Sequence, residues 1–222
     1  MIKAVFIDYM GTTVDEHSPE MAEIVRRICK NSNIHEPKQV QRFILDNRRR
    51  YEADSYLDSY LTQDEIVDRL ISDMADQIGL TDEPSVLRGL IQSHWVNASV
   101  FPDACTFFDQ CPAPIYIITN IGYPYMERAL RHNGLKAAGV VSADAARAYK
   151  PRREIFDEAL RVSGCTPDEA VHIGDSYDTD AAGARVAGIR PVLLLRGHTR
   201  RHGDVDAADD LEQVLELVFK RS

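Results

Sequence analysis

The sequence predicts an α/β protein: a doubly wound, Rossmann-like core of five parallel strands, with an all-helical segment inserted after the first strand. Three observations predict it. Short apolar runs at Lys3–Ile7, Ile115–Thr119, Gly139–Ser142, Ala170–Ile173 and Pro191–Leu195 have the length and composition of buried strands. Helical patterns separate the last four, as right-handed crossovers around a parallel sheet require. Between the first two runs lie about ninety residues with no strand pattern.

Each element has a local cause. The first run ends on Asp8, followed by Gly11, so a carboxylate arrives where the backbone can turn sharply, at the sheet edge that carries ligand chemistry in open α/β folds. Ser18-Pro19 is a helix start, and Met21, Ile24, Val25 and Ile28 then repeat on one face. Thr62-Gln63-Asp64-Glu65 is a capping box opening a helix that carries Ile66, Val67, Leu70, Ile71 and Met74. Residues 36–53 and 84–97 also read as helical. Residues 16–97 therefore form the expected helical domain, and 1–15 with 98–222 form the core. Inserted beside the Asp8 strand, the helical domain is placed to act as a lid, with Trp95 and Phe101 at the junction. Downstream, Arg153–Ser163 carries Ile155, Phe156, Ala159 and Leu160 on one face, Asp178–Ala187 closes on Gly188, and Leu211–Phe219 is an amphipathic C-terminal helix.

Composition bounds the function. A chain of 222 residues can bury one good core, or one core plus a smaller lid. A net charge of -9 argues against a general nucleic-acid or anionic-membrane binder. Apolar stretches such as Val192–Leu195 are far too short to span a bilayer, and the N-terminal residues read as a strand rather than a secretion signal. Cys29, Cys105, Cys111 and Cys165 lack paired metal-site spacing and read as reduced cysteines of a cytoplasmic protein. Apolar faces on the inserted helices are compatible with a monomer or a homodimer.

Four separated segments carry chemistry. The first is Asp8-Tyr9-Met10-Gly11-Thr12-Thr13. In the second, Ile117-Ile118-Thr119-Asn120, a strand ends in a hydroxyl and an amide suited to phosphoryl oxygens. The third, Tyr149-Lys150-Pro151, places a cation just before a helix. The fourth, Val171-His172-Ile173-Gly174-Asp175-Ser176-Tyr177-Asp178-Thr179-Asp180, gathers carboxylates after a buried strand, where they repel unless a cation holds them. Asp178 reads as a cap or surface residue. In this order the segments resemble those of the haloacid dehalogenase superfamily, over nearly the whole chain, with the helical insertion matching its helical-cap (C1-type) subgroup.

That resemblance implies a hydrolase in which Asp8 is the nucleophile and Lys150, Thr119 and Asn120 assist it. It implies a Mg²⁺ site built from Asp8, the Met10 backbone carbonyl, Asp175 and Asp180, and a small phosphorylated substrate. The family usually carries a second aspartate, its general acid/base, where this chain has Met10. Two branches also lack it. Haloacid dehalogenases lack the metal and replace the acid at position 175 with serine, whereas Asp175 is kept here. Phosphonoacetaldehyde hydrolases carry an opening motif that Asp8–Thr13 matches well, but they use a cap lysine, and the insertion holds only Lys30 and Lys38 outside any such motif. The leading expectation is a Mg²⁺-dependent phosphatase with altered proton handling. A phosphonatase-like hydrolase, a dehalogenase and a silenced phosphometabolite-binding protein are the alternatives. Glu16, His17 and Glu20, at the hinge into the insertion, are candidate proton donors, and Thr12, Arg48 and Arg49 candidate substrate contacts. Arg50, Tyr51, Tyr56 and Tyr60 extend that basic, hydroxyl-bearing patch. Arg152, Arg153, Arg196, Arg200 and Arg201 are expected as surface charges.

Overall fold

In the computed structural model, which describes residues 1–197 and 199–220, β1 (Ala4–Ile7) is followed by four helices: α1 (Pro19–Asn31), α2 (Pro37–Asp54), α3 (Gln63–Ile78) and α4 (Pro84–Asn97). The chain continues through α5 (Pro102–Gln110), β2 (Ile115–Thr119), α6 (Tyr123–Asn133), β3 (Gly139–Ser142), α7 (Ala143–Ala146) and α8 (Arg153–Ser163). It ends with β4 (Ala170–Gly174), α9 (Ala182–Val186), β5 (Arg190–Leu194), β6 (Asp206–Ala208) and α10 (Leu211–Phe219). Positions 198, 221 and 222 of the expected core lie outside the described residues.

The sheet is parallel throughout, in the order β3-β2-β1-β4-β5-β6. Among the described residues it has six strands, not the five expected. The sixth, Asp206–Ala208, is a three-residue edge strand, and an edge needs no continuous apolar run, so its sequence carried no strand signal. Helix α5 also went unanticipated: its apolar face is short, and it is set by Pro102 at the first helical position.

Both sheet faces are covered, as a doubly wound sheet demands. Val5 and Ile7 point into one core with Ile117, Val171, Ile173 and Phe107, while Ala4 and Phe6 point into the other with Ile155, Phe156 and Ala184. β1 lies between β2 and β4, with Ile7 in register with Ile117 and Ile173. The carboxyl ends of the three central strands therefore converge, and the chain direction out from β1 reverses there.

Helices α1–α4 carry the predicted devices. Ser18 Oγ accepts from the Met21 amide, and Thr62 and Glu65 make both bonds of the capping box. Two seams join these helices to the core. Trp95 meets Tyr125 of α6 edge-on at 4.9 Å, and Tyr125 donates its hydroxyl hydrogen to Asp64 of α3 at 2.8 Å. On the other side Tyr60 stacks on Tyr149 at 5.4 Å, and Tyr149 donates to the Leu61 carbonyl at 2.7 Å. Among the described residues no helix is long and apolar enough to cross a membrane. All four cysteines are free.

The seam and the cap differ in expected weight. Trp95→Ala removes a buried aromatic and is expected to cost about 3–5 kcal/mol. Thr62→Ala removes an exposed cap, at about 1 kcal/mol. Chemical denaturation of the two variants side by side measures the contrast.

Candidate active site

Asp8 sits one residue beyond β1, its amide still donating to the Ile173 carbonyl, so the sheet itself fixes its position. The residue is 8% exposed. Lys150 Nζ donates to Asp8 Oδ1 and to Asp180 Oδ1, each at 2.6 Å, in a pocket where the lysine is 5% exposed. No hydrogen bond from the described residues reaches the second Asp8 oxygen. Asp180 also receives the His172 ring through Nε2 at 3.0 Å and the Ser176 amide at 3.2 Å. Burial lowers the His172 pKa, so the ring is neutral, donates through Nε2, and leaves a buried Nδ1 without a partner.

The charges are unequal. Burial raises the Asp8 carboxyl, to about 8, because Lys150 only partly offsets it and Asp180 and Asp175 add repulsion. Burial acts on Asp180 in the same sense, but Lys150 and His172 outweigh it and hold that carboxyl below the usual range. Burial opposes the Lys150 charge, yet Asp180 and Asp8 outweigh it and raise its pKa above normal. Asp8 shares the ammonium without any other donor, which explains the asymmetry.

Asp175 follows β4 and is clasped by Thr12: the hydroxyl donates to Asp175 Oδ1 at 2.7 Å and accepts from the Asp175 amide at 2.9 Å. Burial raises this carboxyl, to about 6, with Asp180 adding to it. Two glycines make the approach possible. Gly11 has φ +83, and a Cβ there would lie 2.7 Å from Asp175 Oδ2; at Gly174 a Cβ would lie 2.2 Å from Asp180 Cγ. Arg196 is no surface charge. It pairs with Asp103 at 2.6 Å, donates to the Thr12 carbonyl at 2.6 Å and lies over Phe101. It thus holds the turn that carries Thr12.

Atoms of Asp8, Asp175 and Asp180 lie within 4.8 Å of one another. Three carboxylates against one ammonium leave a surplus of negative charge, and hard oxygen donors suit a hard divalent cation. These residues fit such an ion. Met10 lines the same space.

From β2, Thr119 Oγ1 accepts from the Ile121 amide at 3.2 Å, and Asn120 Oδ1 accepts from the Lys150 amide at 2.8 Å. Asn120 Nδ2 donates at 3.3 Å to Glu52 of α2, whose other oxygen accepts from Gln63 of α3 at 3.0 Å, with Arg48 Nε 3.7 Å away. Glu52 is 6% exposed. A cavity of about 410 Å³ opens between the core and the four helices, with Asp8, Met10, Glu16, Arg48, Arg49, Glu52, Thr119, Asn120, Lys150, Asp175 and Asp180 on its wall.

The sequence-derived candidates divide against this geometry. Thr12 is turned to Asp175 rather than to the cavity. His17 contacts Asp15 at 3.2 Å and is absent from the wall, and Glu20 accepts from Ser93. Arg50 and Tyr51 bind Asp73, Tyr56 binds Glu154, and Tyr60 binds Asp144, so the patch beyond Arg48 and Arg49 is committed to packing the helices. Asp178 is exposed, and Ser176 rather than an aspartate caps the following turn. Lys30 and Lys38 do not line the cavity. Glu52, Gln63 and His94 do, and none was singled out beforehand. A glutamate closing a basic helical run carries no motif, and His94 gave no sign beyond its place on a helix. His94 Nδ1 pairs with Ser18 Oγ at 2.8 Å, and burial lowers its pKa.

Residues 2–188 match the haloacid dehalogenase-like hydrolase family. The chain belongs to that family. It is 29% identical to the haloacid dehalogenase-like hydrolase domain-containing protein 2 of Pongo abelii, over 90% of this chain and 86% of that one. A glyceraldehyde 3-phosphate phosphatase of Methanothermobacter thermautotrophicus is 36% identical, over 36% of this chain and only 38% of its own length. Among solved structures, the L-2-haloacid dehalogenase of Xanthobacter autotrophicus superposes with a TM-score of 0.82 at 18% identity over the whole of both chains, a likeness of fold. A phosphatase of this family from Thermococcus onnurineus superposes with a TM-score of 0.72 at 22% identity over 98% of each chain.

Removing the shared cation isolates two buried carboxylates. Lys150→Met is expected to cost about 3–5 kcal/mol at neutral pH. The Asp180 carboxyl is held low in the folded state, so its contribution is present above the ordinary aspartate pKa of about 3.9 and fades as pH falls below it. Urea denaturation of both proteins across that range is expected to show the penalty shrinking in acid.

Proposed function

We propose that this chain is a Mg²⁺-dependent phosphomonoester hydrolase working through an aspartyl-phosphate on Asp8. The observation that carries the reading is Asp8 at the end of the central strand, paired with Lys150, clustered with Asp175 and Asp180, and open to a cavity. Asp8, the Met10 carbonyl, Asp175 and Asp180 would hold the ion, which supplies neutralisation of charge between an anionic nucleophile and an anionic phosphoryl group. An Asp8 oxygen attacks phosphorus, the ester P–O bond breaks, and the leaving oxygen takes a proton. Water then attacks phosphorus of the aspartyl-phosphate, releasing phosphate and freeing Asp8. Lys150, Thr119 and Asn120 hold the transferring group.

Met10 cannot move the proton, and Glu52 is the group we assign to that task. It is a buried carboxylate on the same wall, fixed from three directions by Gln63, Asn120 and Arg48. Glu16 also lines the wall but is exposed. The alternatives are weaker on physical grounds. Imine chemistry on a carbonyl substrate needs a neutral amine, and the cavity's lysine, Lys150, is held as an ammonium between two carboxylates. Dehalogenation without a metal would bring a carboxylate substrate against three carboxylates.

The test is turnover of acetyl, aryl and alkyl phosphates with Mg²⁺ and with chelator. Asp8→Asn is expected to abolish metal-dependent turnover of all three. Glu52→Gln is expected to lower alkyl phosphate turnover about 10²–10⁴-fold and aryl phosphate turnover much less, with Met10→Asp restoring the alkyl rate in that background. An unchanged alkyl-to-aryl ratio in Glu52→Gln would place the proton transfer elsewhere. Absence of metal-dependent turnover in the parent protein would favour a silenced binding protein.

A further inference from the structure

The cavity has two chemically distinct ends, and the reading of Asp8 as a phosphoryl-transfer site uses only one. The polar residues lie where the helices meet the core: Glu52 near the end of α2, Gln63 at the start of α3, His94 near the end of α4. Away from the core the wall becomes Ile28, Leu70, Met74 and Leu87, contributed by α1, α3 and α4. On α3, Gln63 and Met74 both line it, and they are separated by about 16 Å of helix. The space therefore runs lengthwise into the helical bundle rather than ending beneath it.

Such a space is not a packing fault. Protein interiors hold few voids larger than a water molecule, and this one measures about 410 Å³. A short polar phosphate would occupy the charged end and leave the apolar wall facing water or empty. Met74, on the apolar wall, adapts to a flexible occupant.

We infer that this end of the cavity binds an aliphatic tail, and that the substrate is a phosphomonoester of a medium-length hydrocarbon alcohol. The inference rests on the phosphatase reading for the head group and on the apolar wall for the tail. At about 30 Å³ per water-sized group the volume accommodates on the order of ten heavy atoms beyond the anchored phosphoryl.

The test uses the Mg²⁺-loaded full chain and two ligand series, n-alkyl phosphates for turnover and n-alkyl phosphonates for calorimetric binding, from methyl to decyl, all below their micellar concentrations. Affinity for the phosphonates is expected to rise about fourfold per added methylene, levelling at about eight to ten carbons, with kcat/KM for the phosphates following it. Leu70→Trp, which fills part of the apolar end, is expected to make the rise level off at a shorter chain; the parent series stands whether or not that variant folds. Affinity that is flat or falls with chain length would overturn the tail site. Rising phosphonate affinity with no phosphate turnover would uphold the tail site and overturn the phosphatase reading.

Discussion

The Lys150 ammonium, shared between Asp8 and Asp180 at 2.6 Å each, is the contact on which the rest of the site depends. It joins three separated parts of the chain: the end of β1, the turn that leads into α8, and the turn after β4. Buried charges persist only when paired and hydrogen-bonded. Lys150 meets that condition for Asp180, helped by His172 and the Ser176 amide, but only partly for Asp8. Asp8 is thus left under-neutralised beside Asp175, an excess of negative charge that a divalent cation would offset.

Around that contact the fold supplies position and the helical insertion adds a buried carboxylate, Glu52. The parallel sheet brings Asp8, Thr119 and Asp175 to one edge because three adjacent strands end there in register. Gly11 and Gly174 let two carboxylates approach backbone that any side chain would block. The insertion reaches the same point through Glu52, which ties α2, α3 and Asn120 together. Under the proposed reading, a proton-moving carboxylate would come from the helical insertion instead of the opening turn, so that Met10 need not prevent turnover.

Much of this was legible in the sequence because its signals are local. The five longer strands, the capped starts of α1 and α3 and the helix over Arg153–Ser163 follow from periodicity and capping within single segments. Lys150 and Asp180 could be nominated from the order of motifs, although their pairing needed the fold. What stayed hidden was non-local or unsigned. β6 is an edge strand of three residues without an apolar run. Arg196 looks like any loop arginine until Asp103, Thr12 and Phe101 close around it. His17 lies in sequence beside the hinge yet turns to Asp15, while Glu52, at the far end of α2, folds back into the site. Proximity along the chain misled for the residues that the helical insertion brings in from a distance.

The measurement that tests the central claim most directly is a calorimetric titration of Mg²⁺ into the metal-free protein near neutral pH, in two buffers of different ionisation enthalpy. Burial raises the Asp8 carboxyl, to about 8, and the Asp175 carboxyl, to about 6, so both hold protons more readily than free aspartates and an ion that binds there competes with those protons. The account predicts saturable binding with net proton release, the affinity rising with pH through that range. Binding without proton release, or no binding at all, would contradict it.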